Sequence, residues 1–413
     1  VRGKVSEAFN YELSANYGRT DTVLTNAGEL IPDRFYASVD AIADPVTGQP
    51  ICRSDIDPNT PFPTSGFPAP ALPGFNTFAP GDGSCVPTNL FAPTSAEAAN
   101  FFLLRTEQSF ELEQFVVNGT ITGNSAEFLE LPAGGIGYAV GFEYRDERSA
   151  YEPDPLQVAN LGFLSAFSDD FAFNGGFDVF EGFAEVNIPI LRDQPFAESL
   201  DLDASVRVAD YSSVGTTTSY AAGLVWQPVN ALRIRGSYNR SVRAPNIGEI
   251  STPQVTLPGQ ISSDPCSAEN INNGSSTRAA NCAQFVPAGF VSDPFTTQFA
   301  VQVTSGGNPN LTEETADTFT IGVVFQPDFI PGLTVIADYY NIDIQDGILS
   351  GVADEVIVTN CVDAATTNNP FCDAVARDGA SGEVTAVQAT NLNLSAIRGE
   401  GIDYQITYDF DLD

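Results

Sequence analysis

Histidine and methionine are absent from the 413 residues of this chain, and tryptophan occurs once. Without histidine, the segment cannot hold a Ser-His-Asp or Cys-His catalytic pair, a His-ligated zinc ion or a His-ligated haem. A mechanism that uses only carboxylates or lysine survives this exclusion, for example a secreted glycosidase with two acidic groups. We expect no catalytic residues, no metal site and no cofactor.

Basic residues are also scarce, with 17 Lys and Arg against 53 Asp and Glu, and the formal net charge is −36. A charge of this sign and size repels nucleic acid phosphates and anionic lipid surfaces. The composition therefore excludes nucleic acid as an expected partner.

Long apolar runs are missing as well. No stretch of about 18 consecutive apolar residues occurs, and no basic segment followed by an apolar one opens the chain, which predicts neither a transmembrane helix nor a signal peptide. The chain begins at Val1 rather than at a methionine, which fits either a processed protein or a fragment.

Aromatic residues are abundant, with 30 Phe and 13 Tyr, and this composition favours strands. About ten segments alternate apolar and polar side chains over roughly ten residues, the length that crosses a bilayer as a tilted strand. The clearest runs are Leu200 to Ala209, Ile136 to Arg145 and Leu232 to Asn239. A soluble β-sandwich would give a similar alternation, with its apolar face turned to a core.

Short and long connections alternate between these segments, which is typical of outer-membrane barrels with tight periplasmic turns and long external loops. The short connections are expected near 123–135, 189–199, 227–231 and 326–332, and one short outer connection near 212–218. The long connections are expected near 19–106, 148–176, 244–316 and 347–396. Within the first of these, the segment from Pro58 to Pro93 is too rich in proline and glycine for a central strand.

All six cysteines fall in long connections and none in an expected barrel strand. They are Cys52 and Cys85 in the first, Cys266 and Cys282 in the third, and Cys361 and Cys372 in the last. Six cysteines permit fifteen pairings, and one local disulfide per connection is the simplest. Each bond would close a connection that has little core of its own. The spacings do not suggest a redox or metal role.

Several motifs occur in a fixed order along the strands. The longest block, Glu185 to Glu249, contains E-V-N-I-P-I, then L-D-L-D-A-S-V-R-V-A-D-Y-S, Y-A-A-G-L-V-W-Q-P and L-R-I-R-G-S-Y-N-R-S-V-R-A-P-N-I-G-E-I. Others are A-V-G-F-E-Y-R-D-E from Ala139, G-N-P-N-L-T-E-E-T-A-D-T-F-T-I-G from Gly307 and L-T-V-I-A-D-Y-Y-N-I-D-I from Leu333. On these motifs the chain resembles the TonB-dependent receptor family.

The resemblance implies an all-β fold, an antiparallel transmembrane barrel closed around a plug. Barrels of this transporter class have about 22 strands. We therefore expect residues 1–413 to form a single partial barrel domain of about ten strands, with the plug domain and the rest of the barrel absent from this chain. In the family's R-A-P-x-x-x-E segment a strand ends and an external loop opens, which assigns that role to Arg243, Ala244, Pro245 and Glu249.

The resemblance also implies TonB-dependent active uptake of a scarce nutrient at the outer membrane of a Gram-negative bacterium. The expected partners are the TonB complex, reached through the plug region, outer-membrane lipid and a small nutrient ligand. The ligand is an iron chelate, a vitamin, a glycan or a peptide, and the sequence does not choose among them. The alternative is a passive porin or a surface-binding β-barrel.

Charged side chains on the lumen-facing positions of the expected strands are the candidate lining of a ligand path. They are Glu143, Arg145, Arg207, Arg233 and Arg235. The competing interpretation is that such charges pair with one another or with the plug and keep the wall hydrated.

Overall fold

The computed structural model describes residues 1–6, 8–59, 77–158, 171–259, 261–293 and 301–410. The chain divides into two compact units. The first contains residues 1–18, 113–148 and 175–413, and the second contains residues 19–112 and 149–174. Among the described residues, no helix is both long and apolar enough to cross a membrane.

Nineteen strands and eight helices are numbered here along the described parts of the chain. The strands are β1 (Arg2–Lys4), β2 (Asn10–Leu30), β3 (Ala41–Ala43), β4 (Pro50–Cys52), β5 (Leu103–Asn124), β6 (Glu130–Leu131), β7 (Gly134–Gly135), β8 (Gly137–Glu152), β9 (Phe173–Gln194), β10 (Ala197–Tyr211), β11 (Gly215–Val229), β12 (Leu232–Arg243), β13 (Val255–Gly259), β14 (Val301–Gly306), β15 (Glu314–Phe325), β16 (Leu333–Leu349), β17 (Val375–Arg377), β18 (Val384–Thr390) and β19 (Leu392–Tyr408). The helices are α1 (Pro32–Val39), α2 (Arg53–Ile56), α3 (Ala96–Phe102), α4 (Pro155–Val158), α5 (Ile247–Ser251), α6 (Arg278–Cys282), α7 (Asp354–Asp363) and α8 (Pro370–Asp373).

Eleven strands form one large sheet in the order β1-β2-β5-β8-β9-β10-β11-β12-β15-β16-β19. Within this sheet, the pairings from β9 through β19 are antiparallel, and so is that of β1 with β2. Each of these strands lies beside the strand that precedes or follows it among the eleven, and the connections between neighbours are short turns in some cases and long segments in others. This architecture confirms the predicted all-β fold class, with eleven strands where about ten were expected.

The two faces of the large sheet differ in chemistry, and we call them the polar face and the apolar face. Arg207, Arg235 and their partners in register lie on the polar face, and the residues that alternate with them lie on the apolar face. Large side chains on the apolar face are exposed rather than packed against a second layer, among them Val206 at 44% and Ile402 at 65%. Such a surface suits lipid better than water.

Strand alternation was predicted correctly, but several strand ends were not. The connection expected at 189–199 is a tight turn between β9 and β10. Pro189 belongs to β9 and is in register with Asp201 of β10, next to a register shift between Leu200 and Asp201. The strands β2 and β5 also continue into the connection expected at 19–106. Their outer parts carry paired charges such as Arg19 and Glu111, so the alternation of apolar and polar residues fades there although the ladder continues.

The long connections contain packed cores, which corrects the expectation that they have little core of their own. In the second unit, Cys52 and Cys85 pack with Ala98, Phe101 and Phe102. In the first unit, a buried cluster contains Ile261, Val301, Ile357, Val358, Ala374, Val384, Val387 and Ala389. Several short segments can bury a shared core that no single segment could bury alone.

The third and fourth long connections fold together, and we call residues 244–313 and 350–391 the loop module. A four-stranded sheet runs through it in the order β13-β14-β18-β17, and its parallel pair of β14 and β18 joins the two connections. Three disulfides are present in the chain, one in each cysteine-containing connection, as the simplest pairing predicts. They join Cys52 to Cys85, Cys266 to Cys282 and Cys361 to Cys372. Cys52 ends the short strand β4, while the other bonds lie in the loop module.

Candidate functional site

Arg207 lies on the polar face in a charged cluster near the loop ends of β9 and β10. Its Nη1 donates a 2.5 Å hydrogen bond to Oε1 of Glu181, and its guanidinium lies 5.1 Å from the ring centre of Phe183. The Glu181 side chain is almost completely buried. A carboxylate this buried needs a charged partner, so Arg207 is held in place by the wall of the sheet.

Arg145 and Glu143 lie on the neighbouring strand β8. Nη1 of Arg145 lies 3.3 Å from Oε1 of Glu147, which also accepts a 3.1 Å hydrogen bond from Nε2 of Gln114. Glu143 forms no hydrogen bond and no ion pair within the described residues. This part of the polar face is thus a mixed network of both signs of charge, in which Arg145 is already paired.

Arg235 forms an ion pair that passes over an intervening strand. Its Nε and Nη2 donate to the two carboxylate oxygens of Asp338 at 2.9 and 2.7 Å. Arg235 is on β12 and Asp338 on β16, and Gly322 of β15 lies between them in register. A Cβ atom at Gly322 would lie 1.7 Å from Oδ1 of Asp338, so only glycine leaves room for this pair.

Arg233 is exposed and, unlike Arg235, makes no ion pair with any described residue. It extends the row of polar-face arginines toward the turn between β11 and β12. Among the four arginines proposed for the path, it alone is free to interact with something outside the described part of the chain.

The five candidate residues do not meet at one point. Arg235 is in register with Val225 of β11, which is in register with Asp201 of β10. Arg207 lies six residues beyond Asp201 along β10. Six residues of strand span roughly 20 Å. The structure therefore shows two separate groups, one around Arg207 and one around Arg235. The sequence pattern did not identify their acidic partners Glu181 and Asp338, because the pairing depends on strand register.

A hollow of about 680 Å³ lies on the polar face between these two groups. Its wall combines small residues such as Ala221 and Gly223 with hydrogen-bonded pairs. In one such pair, Nδ2 of Asn187 donates a 2.7 Å hydrogen bond to Oδ1 of Asp203. A wall of small residues leaves space for another polar surface to approach the sheet closely.

The R-A-P-x-x-x-E residues form a junction of four elements. Nη1 and Nη2 of Arg243 donate to the Glu249 carboxylate at 3.0 and 3.2 Å, and its Nε donates to Oε2 of Glu314. The other oxygen of Glu314 accepts a 2.6 Å hydrogen bond from the backbone N–H of Ile348. Arg243 therefore connects the end of β12 to α5, β15 and β16.

The residues that follow Arg243 set the start of α5. β12 ends at Arg243, Pro245 is fully buried, and Asn246 and Glu249 form a reciprocal capping box. The backbone carbonyl of Glu249 accepts hydrogen bonds from the N–H of Asn308 at 2.8 Å and from Nδ2 of Asn391 at 3.0 Å. The segment ends β12, opens a long connection and fixes that connection to the sheet.

Two ion pairs with buried arginines hold the loop module together. Arg377 donates to both carboxylate oxygens of Asp264 at 2.7 and 2.8 Å, and both side chains are almost completely buried. Arg278 makes a similar two-point contact with Asp363. The hydrogen bonds from Arg278 hold the pKa of the Asp363 carboxyl below its usual value. Each pair joins the third connection to the fourth.

Three potential metal ligands lie close together in the second unit, namely Cys52, Asp55 and Cys85. The two sulfurs are bonded to each other, so neither is a thiolate that could bind a metal. Burial raises the pKa of the Asp55 carboxyl. The disulfide therefore accounts for the closeness of these residues, which does not indicate a metal site.

Residues 52–413 match the family described as TonB dependent receptor-like, beta-barrel. No curated protein sequence matches the chain.

Similar solved structures include the siderophore receptor PirA from Acinetobacter baumannii, with 14% identity and a TM-score of 0.44 over 75% of this chain and 40% of that one. A mutant of the ferric enterobactin receptor PfeA from Pseudomonas aeruginosa has 15% identity and a TM-score of 0.43, over 73% of this chain and 37% of that one. The RagAB peptide importer in its closed-closed state has 13% identity and a TM-score of 0.47, over 100% of this chain and 33% of that one. The chain thus spans at most 40% of the length of these three proteins.

Proposed function

Because the chain belongs to the TonB-dependent receptor-like β-barrel family, we propose that it is part of an outer-membrane receptor for active uptake of a scarce nutrient. The observation that carries this proposal is the family match over residues 52–413. The exposed apolar face and the charged polar face of the large sheet support it. In the proposal, the apolar face contacts lipid and the long connections face outward.

The proposed partners are a small nutrient ligand, outer-membrane lipid and the TonB complex, which acts through the plug region of such receptors. No catalytic role is proposed. The polar face would line the route of the ligand, and its ion-paired arginines would keep that wall hydrated and rigid.

Among the four arginines of this route, we propose a direct contact with the moving ligand only for Arg233, since no described residue neutralises its charge. Replacing Arg233 by alanine should lower uptake several-fold at unchanged receptor abundance. Replacing Arg145, which is paired with Glu147, is the matched control and should have a smaller effect. Equal uptake by the Arg233→Ala variant and the wild-type receptor would remove Arg233 from the path.

Energy dependence distinguishes active uptake from a passive porin. The receptor would be expressed in a strain that lacks it, and growth on limiting iron, vitamin, glycan and peptide sources would be compared with and without functional TonB. We expect receptor-dependent growth on at least one source to disappear when TonB is removed or the proton gradient is collapsed. Growth that persists under both conditions would identify a passive or surface-binding barrel instead.

A further inference from the structure

A second hollow, of about 380 Å³, lies inside the loop module next to α5. Its lining comes from both connections of the module and includes Asn246, Thr252, Ser305, Ser350, Gly351 and Asn391. The volume is within the range of small-molecule sites in proteins. A Cβ atom at Gly351 would meet no other atom within 4 Å, so this side of the hollow is open.

Several polar groups that line this hollow have no partner among the described residues. The hydroxyls of Ser305 and Ser350 and the amide nitrogen of Asn246 form no hydrogen bond there, and neither does Oδ1 of Asn391. None of these atoms is a buried unpaired group, so each remains accessible. The hollow therefore presents both donors and acceptors, which can bind a ligand without losing bonds within the protein.

Three of these residues, Asn246, Asn391 and Ser305, are held in place by hydrogen bonds. Oδ1 of Asn246 accepts the capping hydrogen bond from the N–H of Glu249 at 2.9 Å, and Nδ2 of Asn391 donates to the carbonyl of Glu249. Ser305 lies in β14, which is paired on both sides. Groups held in this way lose little conformational freedom when a ligand binds, which favours affinity.

The hollow carries almost no net charge. Its one ionisable lining residue, Glu249, is paired with Arg243. The loop module as a whole contains eleven Asp and Glu and only two basic residues, Arg278 and Arg377. Both basic side chains are buried in ion pairs with Asp363 and Asp264. An anionic ligand would meet a negative surface here and find no free cationic group.

We propose that this hollow is a binding site for a neutral, hydroxyl-rich ligand, that is, a saccharide unit. Sugar hydroxyls both donate and accept hydrogen bonds, which matches serine hydroxyls beside amide nitrogen and oxygen atoms. An anionic metal chelate lacks the cationic partner that it requires, and a cation lacks a free carboxylate within the lining. This inference rests on the proposed function, because it names the class of ligand that the outer connections would bind.

The test measures binding of a panel of immobilised neutral oligosaccharides, sialylated and sulfated glycans and a ferric catecholate to the receptor purified from outer membranes. The wild-type receptor is compared with the double variant Ser305→Ala and Ser350→Ala and with Ser350→Trp, which fills the hollow. We expect binding to at least one neutral oligosaccharide. Both variants should weaken that binding by about tenfold or more, since losing about 1.4 kcal/mol of interaction has this effect.

The matched control is Ser276→Ala, because Ser276 is an exposed serine of the same module that does not line the hollow. The control should bind as the wild type does. The inference is overturned if no neutral oligosaccharide binds, if an anionic probe binds best, or if the hollow variants bind as the control does. TonB-dependent growth measured in parallel separates the two proposals, because it can persist on another nutrient when saccharide binding fails.

Discussion

A single glycine on β15 governs an ion pair between the two strands beside it. The Arg235 and Asp338 side chains meet over Gly322, where any Cβ atom would collide with the Asp338 carboxylate. Replacing Gly322 by alanine should displace that carboxylate and lose the pair. The pair is partly exposed, so the expected cost in the free energy of unfolding is about 1 kcal/mol. Urea unfolding of the receptor in lipid vesicles measures it.

Gly223 provides the control, since it also lies on the polar face and a Cβ atom there would make only ordinary contacts, the nearest at 3.7 Å. The Gly223→Ala variant should unfold at nearly the same urea concentration as the wild type. In an Asp338→Ala background the Gly322→Ala penalty should vanish. A penalty that persists there would show that the strand backbone, and not the ion pair, requires glycine.

The buried pair of Arg377 and Asp264 should contribute more to the free energy of unfolding than the exposed pair of Arg398 and Asp343. Replacing Arg377 by methionine leaves a buried carboxylate without its partner, a change that costs about 3 to 5 kcal/mol. Hydrogen exchange of the loop module should accelerate strongly in this variant. Arg398→Met is the control, because Arg398 is 77% exposed and its pair with Asp343 should contribute less than about 1 kcal/mol.

At the scale of elements, sequence patterns predicted the strands whose two faces meet different surroundings. Leu200 to Ala209 alternates because its apolar residues are exposed on one face and its polar residues lie on the other, and the structure places all of it in β10. The strands β13, β14, β17 and β18 were missed because they span only three to seven residues. Their core exists only when the third and fourth connections meet, which no local pattern can indicate.

For the candidate site, the sequence predicted which face of the sheet the arginines occupy but not which residues they contact. Alternation placed Arg207 and Arg235 on the polar face, but their partners lie 26 and 103 residues away in the chain. Which acid reaches which arginine depends on register and on the glycine between them. The hollow of the loop module was not anticipated at all, because Ser305 and Ser350 are unremarkable serines until the fold brings them to one surface.

The disulfides should stabilise the connections and not the large sheet, because every cysteine lies outside its strands. Removing the bond between Cys361 and Cys372 by a double alanine substitution should loosen α7 and α8, at a cost of about 2 to 4 kcal/mol. Proteolysis of the loop module should then quicken while the strand content measured by circular dichroism stays constant. A loss of strand content would contradict this division. Non-reducing digestion with mass spectrometry checks the three pairings themselves.

The whole molecule combines a net charge of −36 with a sheet whose apolar face is exposed, and a membrane reconciles the two. The charges are concentrated on the polar face, in the connections and at strand ends, where water is available. Large apolar side chains occupy the opposite face, where lipid would replace water. The distribution of residues between the two faces therefore predicts which side chains contact lipid.

Trp226, the one tryptophan of this chain, tests that prediction directly. It lies on the apolar face of β11, is 37% exposed, and its Nε1 donates a 2.9 Å hydrogen bond to the carbonyl of Phe196 in a short turn. A ring there suits the interfacial aromatic band of outer-membrane barrels. In vesicles, lipids brominated near the headgroup should quench its fluorescence more than lipids brominated near the chain end. The difference between the wild type and Trp226→Phe isolates this signal.

Moving the ring by one residue turns it to the other face of the sheet. In a Trp226→Phe background, Val225→Trp places a tryptophan on the polar face, where Val225 lies in register with Asp201 and Arg235. Because successive residues of a strand point to opposite faces, this ring should not be quenched by brominated lipid at either depth. Quenching of both rings would mean that lipid reaches both faces and that the polar face does not line a lumen. Quenching of neither would place the sheet outside the bilayer and would falsify the proposed receptor.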